Sequence, residues 1–493
     1  MNDLSLYTVA QVRELERAAI DTLRIPGDEL MRRAGQAAFD ALRRRWPAAR
    51  RVAVLCGAGN NGGDGYVLAR LAHEAGFDAA VLALGEPRAD SEAARAYADW
   101  RAARDEILSA DADWPQADVY VDALFGIGLT RAPEGPAREW IEKLGAARQP
   151  VLALDVPSGL DADTGFAPGA VVRADATITF IADKRGLHTG AAADYVGEIE
   201  VDRLDLPAEM VTNIGADAYR LDAGEIATWL PARARDGHKG RYGHVLAIGG
   251  DRGLGGAIRL AGEAALRVGA GLVSVATQAE HITALNAARP ELMAHAVQGV
   301  QELSALLERA SVVALGPGLG QRAWGHALWH AAIASGKPLV LDADGLNLLA
   351  RDALALPAQT VLTPHPGEAA RLLGGGTDAV ARDRFAAARE LARKHHAVVV
   401  LKGAGSLIAN PHGDVAVCPW GNPGMASGGM GDVLTGVIAG LLAQGLDAWR
   451  AACAGVALHA RAGDAAARAG EAGLIASDLF APLRSLRNGQ GAV

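Results

Sequence analysis

Residues 421–436 read GNPGMASGGMGDVLTG, and this stretch decides the fold of the second half of the chain. A glycine-rich segment ends at Asp432, and apolar residues at helical spacing follow it. The pattern predicts a glycine-rich loop that leads into a buried helix starting near Gly431. The N–H groups of such a loop and the helix N-terminus favour a bound phosphate. An ionised Asp432 beside that phosphate is suited to take a proton from an attacking hydroxyl group.

Four more motifs follow predicted strands in the same half. They are LGPGLG (315–320), DADGLN (342–347), TPHPGE (363–368) and KGAGS (402–406). Each motif by itself has a simpler interpretation as a turn or a helix cap. A nucleotide site, however, needs a cation against phosphate, acids for Mg²⁺ and a cradle of N–H groups. KGAGS, the DAD segment and SGGMGD supply one of each.

The sequence pattern of each half of the chain predicts a parallel sheet. HVLAIGG (244–250) and LVSVA (272–276) flank a helical pattern, and such a βαβ unit implies right-handed crossovers. In the first half, VAVLC (52–56) is followed by GAGNNGGDG (57–65) and then by another helical pattern. Strand, glycine-rich turn and helix in this order can bind a dinucleotide phosphate.

Polar side chains end several predicted strands of the first half. Asp122 ends one strand, Asp155 and Ser158 follow the next, and Lys184 stands just past a third. Ligands of an open parallel sheet bind outside the carboxyl ends of its strands, so we expect these side chains and Asn61 to converge there. Oxygen-rich turns of the type that contains Asn61 can also hold a hard cation. Each acid in isolation would be an ordinary turn residue.

Length and composition limit the remaining possibilities. The chain has 493 residues, which predicts two or three domains, and its composition is typical of an α/β protein. The strand–turn pattern is lost between about residues 213 and 235, which places a domain boundary near residue 222. A net charge of −9 gives no support for nucleic-acid or anionic-membrane binding. Three separated cysteines, no leader-like N-terminus and no long apolar run are typical of a cytoplasmic protein. We expect small-molecule substrates and a homo-oligomer.

The first half resembles the epimerase domain of the bifunctional NAD(P)H-hydrate repair enzymes. The resemblance rests on LMRRAG (30–35), CGAGNNGGDGYVLAR (56–70), DALFGIG (122–128) and DVPSGLDADTG (155–165). It implies that residues 1–221 form a Rossmann-like three-layer sandwich. This domain would interconvert the R and S hydrates of NADH and NADPH.

The same resemblance implies roles for individual residues. Asp155 would be the acid/base residue, with Lys184 nearby as a second proton donor. Asn61, Asp122 and Ser158 would hold a potassium ion. The residues implied to line the hydrate site are Asn60, Asn61, Gly62, Gly63, Asp64, Gly126, Ile127, Gly128, Leu129, Thr130, Arg131, Ala132 and Asp155.

The second half resembles the ADP-dependent (S)-NAD(P)H-hydrate dehydratases of the ribokinase-like superfamily. Its motifs match, and the long form GNPGMASGGMGD separates this group from other members of the superfamily. Residues 222–493 would then form a ribokinase-like α/β domain that uses Mg²⁺ and converts ADP to AMP. The residues implied to contact the hydrate are Ala257, Gly320, His365 and Asp432. Those implied to contact the nucleotide are Lys402, Gly403, Ala404, Gly405, Ser406 and Gly431.

The resemblance implies a mechanism, and two alternatives stay open beside it. Asp432 would deprotonate the hydrate hydroxyl as it attacks the terminal phosphate of ADP, and phosphate would then leave in place of hydroxide. The choice of ADP over ATP rests wholly on the resemblance. In the first alternative, the second half is a kinase for a hydroxymethylpyrimidine-like or thiazole-like alcohol. In the second, the first half is a dinucleotide sensor without catalysis.

Overall fold

Two α/β units form the chain in the computed structural model, which describes residues 4–104, 106–109, 113–129, 131–230 and 232–490. Residues Ser5–Ala218 form the first unit, and the second unit runs from Tyr219 onward. This division lies just before the predicted boundary at 222. The assignment of one activity to 1–221 and the other to 222–493 stays a prediction. Among the described helices, none combines the length and the apolarity that a bilayer crossing requires.

The first unit is built around a parallel sheet. The strands of this sheet are β2 (Arg51–Cys56), β3 (Asp78–Ala83), β4 (Val119–Ala123), β5 (Val151–Leu154), β6 (Ala176–Phe180) and β7 (Glu198–Asp202), and the short strand β1 (Ser5–Leu6) precedes them in the chain without belonging to the sheet. Its helices are α1 (Val9–Asp21), α2 (Gly27–Arg45), α3 (Asn60–Glu74), α4 (Glu92–Ala103), α5 (Gly135–Gly145) and α6 (Ala208–Asn213). The strand order is β3-β2-β4-β5-β6-β7. Because β2 lies between β3 and β4, the winding reverses there and leaves a crevice at the carboxyl ends of β2 and β4.

Helices cover both faces of this sheet. Val52 and Val54 of β2 belong to one apolar cluster, and Ala53 and Leu55 belong to another. Successive side chains of a strand point to opposite faces, so the sheet is the middle of three layers. A Cβ added at Gly65 of α3 would lie 2.6 Å from the Ala123 Cβ. The glycine therefore allows α3 to pack closely on β4, which brings the loops after β2 and β4 together.

The second unit contains a larger mixed sheet. Its strands are β8 (Ala218–Arg220), β9 (His244–Ile248), β10 (Leu272–Thr277), β11 (Met293–Ala296), β12 (Val312–Leu315), β13 (Leu339–Leu341), β14 (Thr360–Leu362), β15 (Val398–Leu401), β16 (Leu407–Ala409) and β17 (Val415–Val417). Its helices are α7 (Ala223–Trp229), α8 (Gly255–Arg267), α9 (Ile282–Ala288), α10 (Val300–Arg309), α11 (Ala323–Ala334), α12 (Asp344–Asp352), α13 (Pro366–Leu373), α14 (Thr377–Arg382), α15 (Arg384–His395), α16 (Met430–Ala443), α17 (Ala448–Ala466) and α18 (Phe480–Arg487).

The topology of this sheet positions the second site. From β17 the order continues β16-β15-β14-β13-β12-β9-β10-β11, and the run from β15 to β11 is parallel. The segment NPHG (410–413) forms the turn of a hairpin, because β16 and β17 pair antiparallel on either side of it. The motifs at 315–320, 342–347, 363–368 and 402–406 therefore emerge at the carboxyl ends of neighbouring parallel strands.

The buried helix predicted after the glycine-rich loop is α16. It starts at Met430, next to Gly431, and Gly429 before it has φ 91, a left-handed conformation that glycine adopts without strain. Its residues from Val433 to Leu442 are buried. A Cβ added at Gly436 would lie 2.0 Å from the Ala261 carbonyl oxygen, so α16 can rest directly on α8. This packing fixes the position of the helix N-terminus and of Asp432.

Candidate functional sites

A cavity of about 500 Å³ opens at the carboxyl ends of β2, β4, β5 and β6 in the first unit. The loops that follow these strands supply its polar walls. The sequence-predicted residues that line it are Asn60, Asn61, Asp64, Gly126, Ile127, Gly128, Leu129, Asp155 and Lys184. The polar residues at these strand ends therefore lie close together in the structure, as we expected. Their roles stay predictions.

Asp155 and Lys184 form a buried ion pair in the cavity wall. The Lys184 Nζ donates to Asp155 Oδ1 at 2.6 Å, to Thr179 Oγ1 at 2.8 Å and to the Phe180 carbonyl at 2.7 Å. The second carboxylate oxygen of Asp155 accepts the Ile127 N–H at 3.1 Å. Asp155 also has φ 66, a backbone conformation that is uncommon outside glycine and often marks functional residues. Both its backbone and its partners hold the carboxylate in one orientation.

Asp122 and Ser158 form a second buried group next to this pair. Ser158 Oγ donates to Asp122 Oδ1 at 2.6 Å, and the Ser158 N–H donates to Oδ2 at 2.8 Å. Burial raises the pKa of Asp122 to about 6 although these hydrogen bonds oppose the rise. Leu124 and Phe125, from the loop after β4, also donate their N–H groups to Asp122 and Ser158 respectively.

Asn61 is the residue that fits a metal role best. Its side-chain nitrogen and oxygen are buried and find no hydrogen-bond partner among the described residues. A Cβ added at Gly126 would lie 3.4 Å from the Asn61 Cγ and 2.7 Å from Asp155 Oδ2, so Asn61 and Asp155 face each other across this glycine. A buried polar atom without a partner requires a ligand or water. Oxygens of Asn61, Asp122 and Ser158 are the ligand type that a hard monovalent cation accepts.

Sequence reasoning missed Glu16 of α1, which also lines the cavity. Burial raises the pKa of Glu16, and the negative charge of Asp155 adds to this effect. Burial likewise raises the pKa of Asp64 well above its usual range, with Asp155 and Glu16 contributing. The sequence contains a signal that could have identified Glu16. It lies at helical spacing from Val12 and Ala19, which form the buried face of α1. An acid on an apolar stripe indicates a polar cavity behind the helix.

Some residues of the implied hydrate site do not line this cavity. Gly62 faces the Gly57 carbonyl, and Gly63 packs against Met31. Arg131 is exposed. Ala132 is also absent from the cavity wall, and Thr130 lies outside the described residues.

A buried charge pair also forms the floor of the second site. The Lys402 Nζ donates to Asp342 Oδ1 at 2.7 Å, and Thr435 Oγ1 donates to Asp342 Oδ2 at 2.9 Å. Burial disfavours both charges, but the attraction between them outweighs it, so the pKa of Asp342 is lowered and that of Lys402 is raised. Glu368 lies near the same ammonium group, with 3.8 Å between Oε2 and Nζ. The site therefore contains a fixed positive charge among acids.

Asp432 lies in the first turn of α16 above this pair. Burial raises the pKa of Asp432 to about 7, the charge of Asp342 adds to the rise and Lys402 opposes it. We expected a carboxylate that the helix end keeps ionised, whereas a pKa near 7 leaves Asp432 about half ionised at pH 7. A pKa near 7 is well matched to a general base.

The two glycine motifs of the nucleotide prediction meet at this point. A Cβ added at Gly431 would lie 3.3 Å from the Lys402 Nζ and 3.4 Å from Asp342 Oδ2. The KGAGS turn is closed by Ser406, whose Oγ accepts the Gly403 N–H at 3.2 Å and donates to the Gly403 carbonyl at 2.9 Å. Ala404 and Gly405 complete this turn. Ser427 Oγ is buried before α16 without a hydrogen-bond partner in the described part of the chain, which is typical of an anion site.

The other residues implied to contact the hydrate lie in two different parts of the second unit. His365 caps α13, since its Nδ1 accepts the Gly367 N–H at 3.0 Å, and it lies on the Glu368 side of the Lys402 group. Gly320 and Ala257 lie instead beside the loop after β12. Ala257 Cβ would be 3.4 Å from a Cβ placed on Gly318. The simpler interpretation of His365 as a capping residue is therefore confirmed, without excluding contact with substrate.

The two acids of the DAD segment accept hydrogen bonds from different parts of the second unit. Asp342 is 1% exposed and both its oxygens are hydrogen-bonded within the protein. Asp344 accepts the Gly320 N–H at 2.9 Å and the Gln321 side chain at 3.0 Å. The prediction that these acids serve Mg²⁺ stays a prediction, and in this structure their oxygens accept hydrogen bonds from protein donors.

Comparison with known proteins agrees with both halves of this geometry. The family described as NAD(P)H-hydrate dehydratase matches residues 245–484, and the family described as YjeF-related protein N-terminus matches residues 27–186. The chain is 49% identical to the bifunctional NAD(P)H-hydrate repair enzyme Nnr of Coxiella burnetii, over 98% of this chain and 99% of that protein. It is 46% identical to the Escherichia coli protein of the same name, over 98% and 94%.

Solved structures agree with the second unit in particular. The ADP/ATP-dependent NAD(P)H-hydrate dehydratase of Bacillus subtilis, co-crystallised with ATP/Mg²⁺, is 30% identical and has a TM-score of 0.51. The match covers 55% of this chain and 98% of that one. A ribokinase-like protein of Enterococcus faecalis is 29% identical, with a TM-score of 0.52, over 55% and 96%. The predicted fold class is confirmed, and this chain is an enzyme that belongs to the family of bifunctional NAD(P)H-hydrate repair enzymes.

Proposed function

We propose that the two units divide the repair of hydrated NADH and NADPH between them. Residues 1–221 interconvert the R and S hydrates. Residues 222–493 dehydrate the S form with ADP as phosphoryl donor, which gives AMP and phosphate. The observation that carries the proposal is Asp432, an acid whose pKa is about 7 and which lies at a helix N-terminus beside the Asp342–Lys402 pair. A homo-oligomer and a cytoplasmic location stay predictions.

Dehydration needs a better leaving group than hydroxide. Asp432 takes the proton of the ring hydroxyl while the hydroxyl oxygen forms a bond to the terminal phosphorus of ADP, and the bond between that phosphorus and AMP breaks. The C–O bond of the phosphorylated ring then breaks, and phosphate leaves with the electron pair. A proton leaves the neighbouring ring carbon, and the double bond returns. The supporting feature is a base whose pKa allows it to accept a proton near neutral pH.

The surroundings of Asp432 favour phosphoryl transfer. The N-terminus of α16 and the Ser427 hydroxyl provide donors for phosphate oxygens. Lys402, held by Asp342, provides a fixed positive charge beside Gly431, as electrostatic stabilisation requires. Mg²⁺, when it accompanies the nucleotide, would neutralise phosphate charge.

Epimerisation needs proton transfer without reduction or oxidation. Asp155 faces the cavity as the acid/base group, and Lys184 orients it and can donate a second proton. Asn61, Asp122 and Ser158 would hold K⁺, which supplies a fixed positive charge when bound. The unpartnered side chain of Asn61 supports this assignment.

Separated R and S hydrates, incubated with the full chain and with ADP or ATP, test the proposal. In Asp432→Asn we expect the S hydrate to persist while R and S still interconvert. In Asp155→Asn we expect the reverse, with only the R hydrate left unrepaired. Asp378→Asn, an exposed acid in the first turn of α14, serves as the matched control and should retain both activities.

Three outcomes would contradict parts of the proposal. Equal loss of both activities in either active-site variant would contradict the separate sites. A stable phosphorylated product formed from ATP would favour the small-molecule kinase. Normal removal of the R hydrate by Asp155→Asn would favour the sensor interpretation of the first unit.

A further inference from the structure

A group of three metal-binding side chains lies on the second unit among residues that the repair chemistry does not use. His326 and His330 are four residues apart on α11, so they share one face of the helix. Asp352 is the last residue of α12 and lies opposite them. One ligand atom from each of the three residues can be chosen so that all lie within 4.8 Å of one another. His326 Nε2 is 2.5 Å from Asp352 Oδ2, and His330 Nε2 is 4.0 Å from the same oxygen.

The aromatic packing around the two imidazoles holds them close together. Their ring centroids are 4.6 Å apart, and both rings contact Trp329, at 6.2 Å for His326 and 5.0 Å for His330. Trp329 is fully buried, and its Nε1 donates to the Gly345 carbonyl of α12 at 3.1 Å. The same tryptophan therefore fixes α11 against α12 and supports both candidate ligands. Such support from residues behind the ligands is typical of metal sites.

Charge and helix polarity favour a cation at this position. Asp352 supplies a carboxylate, a ligand type that divalent ions accept. It also lies at the C-terminus of α12, the negative end of the helix dipole. Arg351 donates to both carboxylate oxygens, from its Nε to Asp352 Oδ1 at 3.0 Å and from its Nη2 to Oδ2 at 3.3 Å. Oδ2 also faces the two histidines, so a bound ion would share this oxygen with Arg351.

We propose that His326, His330 and Asp352 bind a divalent transition ion, with Zn²⁺ as the best match. Two imidazoles and one carboxylate are a common ligand set for zinc, whereas Mg²⁺ and Ca²⁺ prefer oxygen ligands alone. Tetrahedral zinc places its ligand atoms about 3.3 Å apart, so the present spacings need shifts of roughly 1 Å. His330 can make this movement because its side chain is 45% exposed. Its exposure also leaves room for a water ligand.

Such an ion would join α11 to α12. The helix α12 begins at Asp344, immediately after the segment that contains Asp342. The ion would therefore fasten the far end of the helix that follows this site residue. Its expected effect is to stabilise the folded unit, since a ligand that binds only the folded state raises the unfolding temperature.

Calorimetric titration of the metal-free full chain with Zn²⁺, in excess Mg²⁺, tests this proposal. We expect His330→Gln to weaken zinc binding at this site by about tenfold or more. His412→Gln replaces an exposed histidine elsewhere in the same unit and should bind zinc as the unchanged chain does. Zinc should also raise the unfolding temperature of the unchanged chain and of His412→Gln more than that of His330→Gln.

Two results would overturn the assignment. One is zinc binding by His330→Gln with the affinity and stoichiometry of the unchanged chain. The other is the absence of zinc binding by the unchanged chain near neutral pH. Both readouts are independent of catalysis, so failure here would leave the proposed repair function untouched.

Discussion

Asp432→Asn is expected to stabilise the second unit while it removes dehydration. The pKa of Asp432 in the folded chain is about 7, against an ordinary value of 3.8. Between these values the unfolded chain has released a proton that the folded chain retains, so the wild-type stability falls as the pH rises from about 4 to about 7. The whole shift corresponds to about 4 kcal/mol of unfolding free energy, of which about 2–3 kcal/mol is lost between pH 5 and pH 8.

The neutral amide has no such loss, so the advantage of Asp432→Asn over wild type should grow by about 2–3 kcal/mol from pH 5 to pH 8. Urea unfolding at each pH, followed by hydrogen exchange within α16, reports this difference for the second unit. Asp378→Asn should differ from wild type by no more than about 0.5 kcal/mol throughout. An Asp432→Asn advantage that is equal at pH 5 and pH 8 would refute the raised pKa and the reasoning from burial.

Three further substitutions test the two sites. Lys184→Met leaves Asp155 without its buried partner, so we expect the first unit to lose about 3–5 kcal/mol in urea unfolding; an unchanged midpoint would contradict the buried pair. Ser158→Ala removes a hydrogen bond from Asp122, so we expect the unfolding free energy of the first unit to fall by about 1–3 kcal/mol. The pKa of Asp122, followed by NMR, should rise above about 6, and a lower pKa would contradict the hydrogen bond. Gly431→Ala places a Cβ in the proposed phosphate cradle, so calorimetry should show at least about tenfold weaker ADP binding while the circular dichroism spectrum stays unchanged. An affinity equal to that of the wild type would contradict the proposal that this segment binds phosphate.

Parallel topology explains why much of both sites could be predicted from the sequence. Asp122, Asp155 and Lys184 are far apart along the chain, yet each lies near or after the end of a strand in one parallel sheet: Asp122 near the end of β4, Asp155 after β5 and Lys184 after β6. Such strands end at the same edge, so polar residues at their ends must be neighbours. The helix after Gly429 could also be predicted, because its glycines and its apolar periodicity are local features of the sequence.

Properties that depend on the three-dimensional surroundings could not be predicted in this way. The pKa of Asp432 depends on burial and on Asp342, which is remote in sequence. The hydrogen bonds of Asp342 depend on Lys402 and Thr435, which the fold alone brings to it. Glu16 lies on a helix before the first strand of the parallel sheet, so a search of strand ends does not include it.

Transfer of isotope from the hydrate hydroxyl tests the central claim most directly. The S hydrate labelled with ¹⁸O at its hydroxyl group is incubated with the enzyme and ADP, and the released phosphate is examined by mass spectrometry. If Asp432 activates the hydroxyl for attack on phosphorus, the label must appear in phosphate, because the C–O bond breaks after the P–O bond has formed. Label found in water, with unlabelled phosphate, would contradict the phosphorylated intermediate and the role assigned to Asp432.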